Sequence, residues 1–276
     1  MFENILFPVD FSPSCVAIAP FVSGAAEIFG SRVTLLHVCD LASHNGFELY
    51  VRSPQEIAEE HVNVAQRRID SFLESEFPLS TCPRVVCSGD PGEQIANAAV
   101  SGRFDLIVMP THAGRFRRML LGSNTAKVLD SVDCPVLTTG HSETIEPRPL
   151  EHRHWLCALA LDDDSTRVLQ LATQAATAAG AKLSLIHVIQ TSRRSAEYGS
   201  DEEEAFRRIR ELQKCVDCDA VARVARGHVK DAVLEAAQLF DADVLIVGRP
   251  KSESHGRMRE LTYGLVRDAP CPVISV

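Results

Sequence analysis

Short apolar runs alternate along this chain with longer stretches whose apolar positions recur at helical spacing. Residues 5–9 are apolar on both faces, as in a parallel strand covered by helices on each side. Ser12 and Pro13 then supply an N-cap and a first-turn proline for a helix that Gly30 closes. Pro20 lies inside that helix and is expected to kink it or delay its start. Residues 32–38 predict a second strand. Ser53-Pro-Gln-Glu56 has the form of a capping box and opens a helix that sets Ile57, Val64, Ile69, Phe72 and Leu73 on roughly one face. Residues 84–87 predict a third strand, and Asp90-Pro-Gly-Glu93 caps a third helix that runs to Val100. A fourth strand over 106–109, a helix over about 123–130 and a fifth strand over 135–139 complete the pattern. Strands separated by helices imply right-handed crossovers and a parallel sheet with helices on both faces.

The pattern then occurs a second time. Val33-Thr-Leu-Leu-His-Val38 has a partner in Leu183-Ser-Leu-Ile-His-Val188, and Phe104-Asp-Leu-Ile-Val-Met109 in the segment from Ala242 to Gly248. Asp133-Cys-Pro-Val-Leu137 pairs with Pro270-Cys-Pro-Val-Ile274, and Phe7-Pro-Val-Asp10 with Leu159-Ala-Leu-Asp162. The four pairs keep their order at offsets near half of the 276 residues, which is the mark of a tandem duplication. The domains are expected at 1–140 and 152–276. They are joined by a linker at 141–151 that holds Pro147 and Pro149.

Composition narrows the classes. Apolar residues at 45% and charged residues at 24% describe an ordinary globular chain. No apolar run approaches the ~18 residues of a membrane span, and Met1 to Asp10 carries an acid where a signal peptide needs a base. A net charge of −9 argues against a nucleic-acid partner held by a broad basic face. Nine cysteines, an odd number, fit reduced thiols and a cytoplasmic location. Cys215-Val-Asp-Cys218 has metal or redox spacing but no second such pair, so two incidental thiols are expected. His152-Arg-His154 is a weaker metal signal still.

Ligands of open parallel sheets sit beyond the carboxyl ends of the strands. That draws notice to Asp10, Val38, Cys39, Gly89, Asp90 and the segment after Met109. The segment from Met109 to Thr125 forms a loop and enters a helix at Gly122-Ser123. It begins a helix with free amides and the positive end of the dipole, which suits a phosphate. Four of the ten Lys and Arg residues before Gly140 fall here (Arg115, Arg117, Arg118 and Lys127), and such local basicity favours an anion. An exposed loop capped by Ser123 and flanked by solvated arginines is the plainer alternative. His37 and His187 close the second strands of the two halves and are expected to position those strand ends rather than to act as bases. There is no Walker lysine, no Gly-x-Ser-x-Gly elbow and no metal-ligand cluster, so no catalytic residue and no metal site is assigned.

Together these pieces resemble the universal stress protein family in its tandem form. The resemblance is carried by Phe7-Pro-Val-Asp-Phe-Ser12, Leu35-Leu-His-Val38, Gly89-Asp-Pro91, Asp105-Leu-Ile-Val-Met-Pro-Thr-His112, Leu121-Gly-Ser123 and Asp133-Cys-Pro-Val136. It implies an α/β fold of two tandem five-stranded parallel-sheet domains with helices on both faces (adenine nucleotide alpha hydrolase-like, Rossmann-like). It also implies a cytosolic stress-response regulator binding ATP, with Mg as a companion ion. Pro8, Val9, Asp10 and Val38 would hold the adenosine end. Met109, Pro110, Thr111, His112, Gly114, Gly122, Ser123 and Asn124 would hold the phosphates. The family's G-x2-G-x9-G-(S/T) loop is altered. Pro110 and Ala113 stand for its first two glycines, and eight residues rather than nine precede Gly122. Counting back from Cys271 places Arg259-Glu260 where Gly122-Ser123 sit, while Asp162 is kept for Asp10. The second half is therefore expected to be a degenerate copy unable to hold a triphosphate. The family pattern also implies pairing of the two domains through their last strands, and homo-oligomers. A scaffold that binds no nucleotide and a slow ATPase are the alternatives.

Overall fold

The structure is a computed structural model that describes residues 1–40, 54–111, 121–140, 154–190, 200–249 and 256–276. The first half runs β1 (Asn4–Pro8), α1 (Pro13–Phe29), β2 (Arg32–Cys39), α2 (Pro54–Ser71), β3 (Arg84–Ser88), α3 (Pro91–Ser101), β4 (Leu106–Pro110), α4 (Ser123–Ser131) and β5 (Val136–Thr139). The second runs β6 (His154–Ala158), α5 (Ser165–Ala178), β7 (Lys182–Gln190), α6 (Ser200–Val216), β8 (Val221–Gly227), α7 (Val229–Leu239), β9 (Val244–Val247), α8 (Gly256–Asp268) and β10 (Val273–Ser275). The chain divides into two compact units inside β5: residues 2–136 make the first, and Leu137–Gly140 group with 154–276 in the second. The capping serine Ser53, the expected linker at 141–151 and His152 lie outside the described residues.

In the first half of the chain the strands lie in the order β3-β2-β1-β4-β5, and in the second half β10-β9-β6-β7-β8. The pairs β1–β2, β1–β4 and β2–β3 are parallel, as are β6–β7, β6–β9, β7–β8 and β9–β10. Ile5, Phe7, Leu35 and Ile107 in one unit and Trp155, Leu156, Leu185 and Ile246 in the other are at most 1% exposed. That depth explains why the strands read as continuous apolar runs. The registers repeat with an offset of 150: Asn4 faces Arg32, and His154 faces Lys182.

Helix ends follow their cap residues. Ser12 Oγ accepts the Cys15 N–H at 3.4 Å, Pro13 fills the first turn, and Gly30 closes α1 at φ 65°. Pro20 does not delay this helix, which begins at Pro13. The bond it removes would have ended on the Val16 carbonyl. Pro20 and Val16 are both exposed, so water can serve that oxygen. Asp90 caps α3 through the Glu93 N–H at 3.1 Å. In α2, Ala65 and Ile69 face the core, whereas Val64 is 50% exposed, so it is not on the core face. Phe72 and Leu73 follow the end of the helix, Leu73 at φ 53°. Arg84 from β3 closes that end, giving hydrogen bonds to the carbonyls of Ile69, Phe72, Phe77 and Cys82.

Candidate functional site

A cleft of about 160 Å³ opens in the first unit beyond the carboxyl ends of β1, β2 and β4. Pro8, Val9, Asp10, Val38, Met109, Pro110, Gly122, Ser123 and Asn124 all line it, so nine of the residues marked in the sequence come together on one cavity. Thr111 is buried beside it, and its carbonyl accepts the Gly122 N–H at 2.9 Å. His112 and Gly114 lie outside the described residues, as do Ala113, Arg115, Arg117 and Arg118. Cys15, Leu36, Pro91, Ile95 and Thr125 also line the cleft and were not marked. Pro91 and Ile95 could have been found from the helix that follows Gly89-Asp90, while nothing in the sequence distinguishes Cys15.

Asp10 is exposed on the cleft wall, but one of its oxygens is engaged. Oδ1 accepts the Ser12 N–H at 2.9 Å and the Cys15 thiol at 3.1 Å, so the carboxylate is held by its back edge. Cys15 is 1% exposed. Burial first, and the charge of Asp10 second, push its pKa up to about 12, so it stays a thiol and a donor. His37 Nδ1 donates to the Val9 carbonyl at 2.8 Å, and burial holds its pKa below the ordinary value. The ring is therefore neutral near pH 7, and its role is to tie β2 to the end of β1. Between Val9 and the helix the chain turns at Phe11, whose φ of 62° is unfavourable for an aromatic residue. Packing compensates: the Phe11 ring stacks at 4.3 Å from His37, meets Phe72 edge-on at 5.2 Å and lies under the Arg68 guanidinium at 4.2 Å.

The far end of the cleft is the start of α4. Gly122 is the N-cap and provides no side-chain acceptor, so the first-turn amides of Ser123 and Asn124 face outward without a side-chain cap. A Cβ on residue 122 would sit 3.2 Å from the Thr111 carbonyl, which explains the glycine. Thr125 Oγ1 donates to the Pro110 carbonyl at 3.2 Å and fastens the helix to the end of β4. Lys127, read from sequence as part of the basic segment, is paired with Asp90 at 2.5 Å and so is already committed to an acid.

The second unit has its own cleft of about 560 Å³ at the equivalent strand ends. Several elements of the frame are kept. His187 Nδ1 donates to the Leu159 carbonyl at 2.8 Å, Leu161 repeats the positive φ of Phe11 at 60°, and Gly89 and Gly227 share φ 137° and 138°. Burial lowers the His187 pKa as it does that of His37. These landmarks place Ala160, not Asp162, at the position of Asp10. The reason is a two-residue insertion before the helix: α1 starts two residues after Phe11, whereas α5 starts four after Leu161. Asp162 instead accepts the Ser165 hydroxyl at 2.9 Å. The expectation that Arg259-Glu260 stand at a helix start, as Gly122-Ser123 do, is also corrected. Helix α8 begins at Gly256, so both residues lie within it, and Glu260 is exposed and does not line the cleft.

Among the described residues no helix is long and apolar enough to cross a membrane. The Thermus aquaticus universal stress protein in the QAH/OAS sulfhydrylase 3′ region is 29% identical over 141 residues, 50% of this chain and 98% of its own length. Universal stress protein MJ0577 of Methanocaldococcus jannaschii is 26% identical over 152 residues, 50% of this chain and 94% of its own. The crystal structure of a universal stress protein from Archaeoglobus fulgidus DSM 4304 superimposes with a TM-score of 0.74 at 20% identity, covering 99% of this chain and 95% of that one; at that identity the likeness shows the fold. Single-domain relatives that span half of this chain, and a full-length structure that spans all of it, accord with a duplicated domain. The model of the universal stress protein family matches residues 1–139 and again 151–276, so the chain belongs to that family and carries its domain twice.

Proposed function

We propose that the first unit binds an adenine nucleotide, ATP foremost, and that the protein is a cytosolic stress-response regulator whose occupancy a partner reads. The observation that carries this reading is the convergence of Asp10, Val38, Met109 and the uncapped start of α4 on one cleft. Val9 and Val38 offer backbone and apolar surface to a base, and Asp10 Oδ2 is left to accept a ribose hydroxyl or amine. Ser123 and Asn124 offer amides to phosphates at the positive end of a helix dipole. The enclosed 160 Å³ is below the ~300–1,000 Å³ of pockets that swallow a whole ligand. It suits the base end, with the phosphates lying along α4. Magnesium would arrive on the phosphates, since among the described residues no three His, Cys, Asp or Glu side chains gather to hold an ion.

Calorimetry with ATP tests the reading. One nucleotide is expected per chain, and Ser123→Asp should weaken binding at least tenfold by repulsion while an acid at a helix start leaves the fold intact. Unchanged affinity in Ser123→Asp removes the site. We also infer that the halves associate through their apolar last strands, Val136–Thr139 and Val273–Ser275, since such edges need cover and tethering raises their effective concentration. Residues 1–140 expressed alone should then self-associate, which sedimentation measures.

A further inference from the structure

The two clefts differ at four strand-end positions. Pro8, Asp10, Met109 and Pro110 of the first correspond to Ala158, Ala160, Val247 and Gly248 of the second, at the same strand ends. Every one of these exchanges removes side-chain volume, and one removes the carboxylate. Asn124 gives way to Leu261 on the helix wall. The result is a cavity of about 560 Å³, within the range of pockets that enclose a small molecule. Its walls include Leu159, Val168, Val188, Val233 and Leu265, each at most 8% exposed and therefore held by the core. Two carboxylates, Asp162 and Asp164, and one guanidinium, Arg249, line the same cleft; Asp162 accepts the Ser165 hydroxyl and Asp164 pairs with Arg167 at 3.9 Å. Burial keeps His187 in its neutral form, with Nδ1 donating to the Leu159 carbonyl, so it adds no charge.

We propose that the second unit is a binding site for a neutral, predominantly apolar small molecule, chemically distinct from the ligand of the first unit. The lost volume at the strand ends makes room for a bulkier body. Ala160 takes away the carboxylate that the first cleft holds at its strand end, and the two remaining carboxylates, held by Ser165 and Arg167, disfavour an anion. Apolar area removed from water supplies the affinity, and His187 provides one hydrogen bond for orientation. This goes beyond the nucleotide reading and does not depend on it.

The test is a fluorescence titration of the full chain with Nile red, an uncharged dye that brightens in apolar surroundings. The expected result is saturable binding of one dye per chain that millimolar ATP does not displace. Ala160→Asp restores a carboxylate at an exposed backbone position, where the fold tolerates it, and should weaken dye binding about tenfold. Val168→Trp fills the cavity and should abolish binding, with thermal unfolding run alongside. Should Val168→Trp fail to fold, Ala160→Asp still decides. Absence of saturable binding, displacement by ATP, or an affinity within twofold of the parent in Ala160→Asp overturns the proposal.

Discussion

Cys15 shows how a residue with no signature in the sequence conditions one that has a signature. Its thiol and the Ser12 amide share the same oxygen of Asp10, which holds Oδ1 and leaves Oδ2 outside both bonds on a residue that lines the cleft. Cys15→Ala should therefore lower ATP affinity about three- to tenfold, the worth of one ordinary hydrogen bond, since a thiol is a weak donor, while Cys15→Ser restores most of it. Loss of affinity in both variants alike would point to packing instead. The same burial that keeps Cys15 protonated protects it. Under native conditions at neutral pH iodoacetamide should label the exposed Cys215 well before Cys15, which peptide mass analysis reads directly. Arg84 is a purely structural counterpart. It serves four backbone carbonyls between the end of α2 and the start of β3, and Arg84→Ala should cost about 2–3 kcal/mol in denaturant unfolding.

At the scale of elements, the two units solve one helix crossing in opposite ways. In the first, Gly92 on α3 lies under Lys127 of α4; a Cβ at 92 would come within 2.6 Å of the lysine's own Cβ. Lys127 runs on to Asp90. In the second, glycine and lysine trade places. Lys230 on α7 covers Gly264 on α8 and reaches Asp268 at 2.5 Å. Gly92→Ala should cost about 1–3 kcal/mol through overpacking, and the double exchange Gly92→Lys with Lys127→Gly should recover most of it, a coupling that a double-mutant cycle measures. The element order and most boundaries were legible in the sequence because cap residues state them: Ser12-Pro13, Gly30 and Asp90 each sit where a helix begins or ends. The register of the second unit was not legible. Leu161 turns the chain at positive φ, a conformation that leucine does not advertise. The aspartate that follows it, Asp162, therefore passed for the partner of Asp10. The start of α8 was misjudged for a related reason, since counting back from Cys271 assumes helices of equal length. For the first cleft, the nine residues that converge are those the family resemblance implied; of the residues marked by the rule of strand ends, Asp10 and Val38 line it, whereas Cys39, Gly89 and Asp90 do not.

For the whole molecule, three histidines share one tendency. His37, His154 and His187 all have pKa values lowered first by burial. A histidine held below its unfolded value of 6.5 binds its proton more readily when unfolded, so folding stability is full above that pH and is lost as the pH falls through and below it. Asp90, Asp268 and Glu204 are held below the usual carboxylate range by hydrogen bonds to Lys127, Arg267 and Arg207. They withdraw stability in the same direction at still lower pH. The melting temperature should thus decline from pH 7 towards pH 5. His187→Gln should flatten that decline, and a melting temperature that rises on acidification would contradict the assignment.

A chain that carries one domain twice runs a hazard during synthesis, because a helix of one copy can seat itself in the other. The traded glycine and lysine bear on that error. Were α3 to meet α8, Gly92 would face Gly264 and leave a hole; were α7 to meet α4, Lys230 would face Lys127 and the like charges would repel. Correct partners alone combine one small residue with one long one. The exchange Gly92→Lys with Lys127→Gly makes the copies interchangeable at this crossing. Its native stability should hardly change, while its yield of correctly refolded protein should drop, because the duplicated sequence would then have lost a means of telling its own halves apart.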